Sequence, residues 1–265
     1  MRKPFVPFLV LAAVLVAAFV PPALAQQDTA SVRVIDSGRL LVFSRGTPVG
    51  VEDFQYEQRG DSVLVTAMHT RHVAANDGKT LKWIKKFGLI VGADDAALHS
   101  YFSNLEFDGH VTTRGIVPGD TAMTIYSEFD GNGDALRITQ PPGRYFIMDP
   151  MLFTLFDVVC RAVSEQPLSR RPIELVSLGE EPGDSEATVS AAGADTITWG
   201  GKRTITKRWL LEDANSKFVF WSSPAGQLLR LLHEPSGLEV LREEPVAAKV
   251  ARPAKPRAGA RPRAR

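Results

Sequence analysis

"MDPMLFTLFDVVCRAVSEQP", residues 148–167, is the stretch on which the fold turns, because its apolar residues recur at helical spacing. Leu152, Phe153, Phe156, Val159 or Cys160, and Val163 fall on one stripe. Met151, Leu155, Val158 and Ala162 make a second stripe beside it, and Asp157, Arg161 and Ser164 hold the polar side. Two adjoining apolar stripes describe a helix buried over more than half its circumference. Asp149 reads as its N-cap, Pro150 as its first helical residue, and Pro167 lies past its end. The helix is therefore expected over about 149–166.

On either side of this segment the chain reads in period two. Leu81, Trp83, Phe87, Leu89 and Val91 share one phase, with Lys82 and Lys86 in the other. Val63, Val65 and Ala67 do the same, as do Met123, Ile125 and Phe129, and Ile205, Trp209 and Leu211. Such alternation puts one face on a core and the other in water, as in antiparallel sheet. Gly and Asp cluster between the runs, at Arg59-Gly60-Asp61, Asn76-Asp77-Gly78, Pro118-Gly119-Asp120 and Gly131-Asn132-Gly133-Asp134, and read as hairpin turns. The apolar phase slips near Glu52 and Asp53, which predicts a β-bulge there. Three more runs close the sheet: one ending at Trp221, then 228–232 and 238–241. The fold class is mostly β: a curved antiparallel sheet, an open or half barrel, wrapped around one buried helix.

Composition sets the compartment. Arg2 and Lys3 precede an apolar stretch, 5–20, and Ala23-Leu24-Ala25 offers a small-residue cleavage site, so residues 1–25 read as a secretory signal peptide. The expected localisation is periplasmic or secreted. Cys160 is the only cysteine, so an exported chain has no internal disulfide and depends on its core. Residues 26–245 read as one β-rich domain. From 246 on, the chain holds Lys249, Arg252, Lys255, Arg257, Arg261, Arg263 and Arg265, no acid and no aromatic residue. Such a segment cannot bury enough surface to offset chain entropy and reads as a disordered basic tail suited to anionic membrane or envelope surfaces. Removing the two leader and seven tail cations from the net charge of +1 leaves the body at −8. Nucleic acid would attract the tail too, but export keeps the two apart.

Linear motifs for chemistry are missing. There is no Gly-x-Ser-x-Gly, Ser-x-x-Lys or His-Glu-x-x-His, and no glycine-rich phosphate loop. His69 and His72 stand three apart on a strand and face opposite ways, so they read as solvated strand histidines and not as metal ligands. Asp130-Gly131-Asn132-Gly133-Asp134 begins like a calcium loop, but Ala135 and Pro141 stand where that loop needs Gly and Glu. Arg59-Gly60-Asp61 is a hairpin tip. Cys160 sits among apolar residues and reads as an inert core thiol. No cofactor, metal or catalytic residue is expected. The aromatic residues allow two readings. Trp83, Phe87, Phe153, Phe156 and Trp209 line a site for an apolar or lipid-like ligand in one. In the other they fill a solid core, and the protein is an envelope-interaction module working through its tail. A hydrolase with a non-standard site is a third class.

Two stretches carry a resemblance. "GRLLVFSRGTPVGVEDFQYEQRGDSVLVTA", 38–67, resembles the opening strands of exported bacterial domains of unknown function. "WSSPAGQLLRLLHEPSGLEVLRE", 221–243, is similar to their closing strand pair, with Ser223 or Pro224 where an acid is usual and Gln227 where Arg is usual. Such domains look like distant relatives of periplasmic lipoprotein carriers, in which a half-barrel sheet cups a helix and binds acyl chains. The resemblance implies that fold and a binding function, and brings no catalytic residue.

Overall fold

Fifteen strands account for most of the chain in a computed structural model that describes residues 32–74, 78–94, 96–141, 144–164, 170–179, 182–214 and 216–244. The expected leader, Asn76 and Asp77, the end of the helix past Ser164 with Pro167, and the basic tail lie outside the described residues. In chain order the strands are β1 (Arg33–Ser44), β2 (Thr47–Arg59), β3 (Ser62–Ala74), β4 (Thr80–Gly92), β5 (Leu98–Phe107), β6 (His110–Pro118), β7 (Ala122–Phe129), β8 (Asn132–Thr139) and β9 (Tyr145–Met148). After the helix α1 (Thr154–Ser164) come β10 (Arg170–Ser177), β11 (Gly183–Trp199), β12 (Lys202–Glu212), β13 (Lys217–Ser222), β14 (Leu228–His233) and β15 (Leu238–Arg242).

These strands form one sheet in the order β8-β7-β6-β5-β4-β3-β2-β1-β15-β14-β13-β12-β11-β10-β9. The chain thus makes two meanders joined where β1 pairs with β15, Leu40 opposite Arg242. Neighbours are antiparallel except β9 and β10, which run parallel. Tight turns set the register. Asp108-Gly109 and Asp130-Gly131 both hold two successive positive φ angles, 51° and 81°, then 48° and 83°, the geometry whose twist matches paired strands. The sheet ends on β8 and β9 without closing.

Every strand except the edge strand β8, whose Ile138 packs against it only partly buried, contributes buried residues to one core. Leu40, Phe54, Val65, Phe87, Tyr101, Ile116 and Ile125 come from β1 to β7, and Val240, Leu231, Phe220, Leu211, Val189, Leu175 and Phe146 from β15 back to β9. The helix completes it with Leu155, Phe156, Val159, Cys160, Ala162 and Val163. Each such side chain contributes about 1.5–3 kcal/mol on burial if it is a large aliphatic or aromatic. Burial also pushes the Cys160 thiol well above its ordinary value. Polar contacts show how far the sheet curves: the segment 149–161 bonds to β1, β2, β4, β5 and β15 and to the first residue of β14. Trp221 and Leu229 are buried outside this core. There Trp221 Nε1 donates to Asp195 over 3.1 Å and Trp199 Nε1 to the Arg242 carbonyl over 3.3 Å.

Four expectations need correction. The helix starts at Thr154, not Asp149: Met151 adopts a left-handed φ of 67°, which breaks the helical path, and Leu152 N closes a turn on the Asp149 carbonyl. The bulge falls earlier than Glu52–Asp53. Val42 pairs with Gly50 and Phe43 with Pro48, so Val49 is the extra residue, while Glu52 and Asp53 pair regularly with Leu40 and Arg39. His69 is fully buried and not solvated; it shares the inward phase of Val65 and Ala67, and His72 faces out. Ile205 is 69% exposed although Trp209 and Leu211 are buried. On that end of β12 the opposite phase is covered, at Thr206, whose hydroxyl donates to the Asp195 carbonyl.

Candidate ligand cleft beside the helix

The left-handed turn that precedes α1 also shapes a cleft of about 550 Å³. One wall is the turn and the first helical turns: Met148, Met151, Leu152, Phe153 and Phe156. The opposite wall is Leu175, Leu211, Phe218 and Leu238, from β10, β12, β13 and β15. Phe156 and Phe218 lie with ring centroids 4.8 Å apart, and Phe218 stacks in turn on His233 at 4.6 Å. Ser177, Gly183, Asp184, Ser185, Asp213 and Ser216 add polar groups. Of these, Asp184 and Ser185 are exposed and Asp213 is half-buried. Asp213 Oδ1 accepts from Ser216 N over 2.6 Å, tying off the loop between β12 and β13. The volume and the mixture of apolar walls with a few polar groups are those of a small-molecule site. Among the described residues, the walls contain no His, Cys, Lys or Arg.

A buried polar cluster holds the turn in place. Asp149 accepts from Tyr101 OH and Ser103 Oγ, each over 2.6 Å, and pairs with Lys85. Lys85 also donates to the Pro150 carbonyl over 2.9 Å, and Arg114 stands 3.6 Å from the same carboxylate. Burial pulls the Lys85 ammonium below its ordinary range despite the Asp149 charge. Burial and then the same carboxylate push the Tyr101 hydroxyl well up, so it stays a donor. Next to this cluster, Glu52 accepts from Phe153 N (2.9 Å), Thr154 N (2.6 Å) and Thr154 Oγ1 (2.5 Å). A strand carboxylate therefore caps the helix and meets the positive end of its dipole. His69 Nδ1 lies 3.3 Å from Glu52, and its ring contacts Trp83 and Phe153 at 5.3 and 5.5 Å. Its Nε2 has no hydrogen-bond partner among the described residues. Although an acid beside an imidazole resembles a proton-transfer pair, both side chains are fully buried and neither lines the cleft.

A second cluster sits farther along the helix. Asp157 accepts from Leu228 N and Arg161 over 2.6 and 2.7 Å, and Arg242 stands 3.5 Å away. Asp36 pairs with Arg161 and accepts from Arg242 over 2.7 Å. These ties fix the helix against β1, β14 and β15.

Of the aromatic candidates, Phe153 and Phe156 line the cleft. Trp83, Phe87 and Trp209 lie outside it. Trp83 packs edge-on to His69 beneath the Arg71 guanidinium, Phe87 stacks on Tyr101, and Trp209 Nε1 donates to Ser222 Oγ over 2.9 Å. The seven tail cations from Lys249 to Arg265 are outside the described residues. Glu52 and His69, which sequence reasoning misses as a pair, do carry a signal: each is polar at an inward position of an alternating strand. No group of three or more His, Cys, Asp or Glu among the described residues is placed to hold a metal ion.

The fold has a solved counterpart. It is similar to the crystal structure of a beta-barrel-like protein of the domain of unknown function DUF1849 from Brucella abortus, with a TM-score of 0.52 and 7% identity over 78% of this chain and 96% of that one. At that identity the likeness concerns the fold alone. No family model matches the sequence, and no curated protein does.

Proposed function

We propose that this chain is an exported, non-enzymatic binding protein whose cleft beside Phe153 and Phe156 takes an apolar or lipid-like ligand. The observation that carries the reading is the cleft itself. An open cleft of about 550 Å³ flanked by Phe153, Phe156, Leu175, Leu211 and Phe218 has the size and the apolar walls of a small-molecule site. The left-handed Met151 supports it. A non-glycine residue in that region costs on the order of 1–3 kcal/mol, and such strain gathers at ligand sites. Among the described lining residues there is no His, Cys, Lys or Arg and most are apolar, which favours binding over catalysis. The leader-like residues 1–25 support export.

The test is a titration of delipidated protein with an uncharged fluorescent apolar probe, N-phenyl-1-naphthylamine. Saturable one-site binding at micromolar concentration is expected. Gly183→Trp should abolish it: Gly183 lines the cleft and a Cβ there meets nothing within 4 Å, so a larger side chain starts into open space. Equal binding by that variant, or no saturable binding at all, removes the cleft from the reading.

A further inference from the structure

The hairpin of β11 and β12 ends in an arm, 194–206, that leaves the line of the sheet. Its ladder slips between Ala191 and Ala194, where Gly193 takes a φ of 103°, and from Thr206 to the tip β12 pairs with β11 alone. One face of the arm is held against the outer side of the sheet. Trp221 Nε1 donates to Asp195 there, and Trp199 Nε1 donates to the Arg242 carbonyl on β15, three strands from β12. The other face pairs Ala194 with Lys207, Thr196 with Ile205 and Thr198 with Arg203. All six residues are exposed, Ile205 to 69%, and none is acidic. Arg203 and Lys207 have no ion-pair partner among the described residues. Elsewhere on this acidic body Arg39, Arg59, Lys86, Lys217 and Arg230 are each matched by a carboxylate. The acids beside the arm lie toward its held side: Asp195 takes the Trp221 bond, and Glu243 and Glu244 share a groove with Ile197 and Trp199.

We propose that the free face of this arm docks on an anionic bilayer. Arg203 and Lys207 meet lipid phosphates, Thr196 and Thr198 donate to them, and Ile205 enters the boundary between headgroups and acyl chains. Each cation at such a surface strengthens binding about fivefold (~1 kcal/mol) at low salt. Ile205 decides between a bilayer and a soluble polyanion, because only the bilayer offers an apolar layer under the phosphates; on a soluble polyanion the side chain stays in water. The position of the arm adds to this. Trp199 ties it to Arg242, two residues before the described chain stops at Glu244, and the cationic segment begins shortly after, at Lys249. Arm and tail are thus tethered at one place, so that engagement of either raises the local concentration of the other at the same surface.

The experiment sediments the full chain with vesicles of phosphatidylcholine and phosphatidylglycerol in 20 mM salt. Arg203→Ser with Lys207→Ser should lower the partition coefficient about 10–30-fold. Ile205→Ser should lower it several-fold, with little dependence on salt. Lys82→Ser with Arg137→Ser removes two other exposed cations and should leave it within about twofold. Partitioning of the Arg203/Lys207 variant equal to that of the unaltered chain overturns the docking face, and an equal fall in the Lys82/Arg137 variant overturns it in favour of net charge alone. A second measurement reads Ile205 itself. Ile205→Cys is labelled with a polarity-sensitive fluorophore, which the fully buried Cys160 does not take up. Its emission should shift to the blue with these vesicles and stay unchanged with dextran sulfate, a soluble polyanion. No shift with vesicles, or the same shift with dextran sulfate, overturns the bilayer as the partner.

Discussion

At the start of α1, Glu52 meets backbone N–H groups and a hydroxyl; one turn further, Asp157 and Asp36 share the guanidinium groups of Arg161 and Arg242. Both ends use acids from the sheet or helix to fix the same element, but they differ in what satisfies those acids. The first is a cap. Its partners are fixed by backbone geometry, it is fully buried, and it faces a helix dipole. The second is an ion-pair network whose Arg161 side chain is still 25% exposed. Sealed polar groups have no water to fall back on, whereas exposed ones do. The first end should thus be the costlier to break, and the second the more responsive to solution conditions.

The largest effect is expected from Glu52→Ala. It orphans Phe153 N, Thr154 N and the Thr154 hydroxyl together and leaves His69 without its acid. A loss of about 3–5 kcal/mol follows from breaking a buried, fully used charged group. Glu52→Gln keeps one carbonyl acceptor and should lose about half as much. Urea denaturation measures both. A loss below about 1 kcal/mol for the alanine variant would mean that water or a rearranged turn caps the helix instead.

The ion-pair end gives a smaller effect with a pH signature. Arg242→Met leaves Asp36 with Arg161 and Gln227, and should cost about 2–3 kcal/mol in the same assay. The Asp36 carboxyl is pushed up by burial, but the hydrogen bond and charge of Arg242, with Arg161 and Gln227, bring it below its ordinary value of 3.8. A carboxylate held low in the folded state contributes stability that is full above the unfolded value and is lost as the pH falls through the folded one. Stability should therefore decline below about pH 3.8, and Asp36→Asn should flatten that decline. If the two acid limbs coincide, Asp36 does not titrate with folding and the contrast between the two helix ends loses its basis.

The meander is legible in the sequence because most of its inward residues alternate: Trp209 and Leu211, or Met123 and Ile125, need no tertiary knowledge. The helix is legible through its doubled apolar stripe. Its start misleads because Asp149-Pro150 fits the ordinary capping pattern, while the true cap, Glu52, lies 101 residues away from Phe153 in sequence. Nothing local announces such a partner. His69 is within reach, since it continues the phase of Val65 and Ala67, but its similarity to nearby His72 hides the difference in burial. The cleft is beyond reach for another reason. Whether Phe153 and Phe156 meet a wall or a space depends on how β10, β12, β13 and β15 pack opposite them, which is a property of four separate strands. Trp83, Phe87 and Trp209 have the same composition signal as the two phenylalanines, and only packing distinguishes them.

The smallest stability effect is expected from the end of the chain. The last strand closes at Arg242, with Glu243 N donating to the Arg39 carbonyl over 2.8 Å. Past Pro245 the sequence offers seven cations and no bulky aromatic to pack. Ion pairs between such residues and an acidic body would each contribute about 0–1 kcal/mol and would be screened by salt. On an anionic membrane each cation near the surface contributes about 1 kcal/mol, so the sum over seven is enough to hold a protein there at low ionic strength. We therefore propose that this segment acts toward an anionic surface and not toward the fold. Deleting 246–265 should leave the melting temperature within about 2 °C, no more than the 2–4 °C expected of a 1 kcal/mol change in a domain of 150–250 residues. Sedimentation with vesicles containing anionic lipid should fall sharply in 20 mM salt and little in 0.3 M salt. If the truncated chain melts many degrees lower, the segment belongs with Glu52 and Arg242 among the groups that hold the fold. If sedimentation is the same with and without it, the seven cations are not what meets an anionic surface.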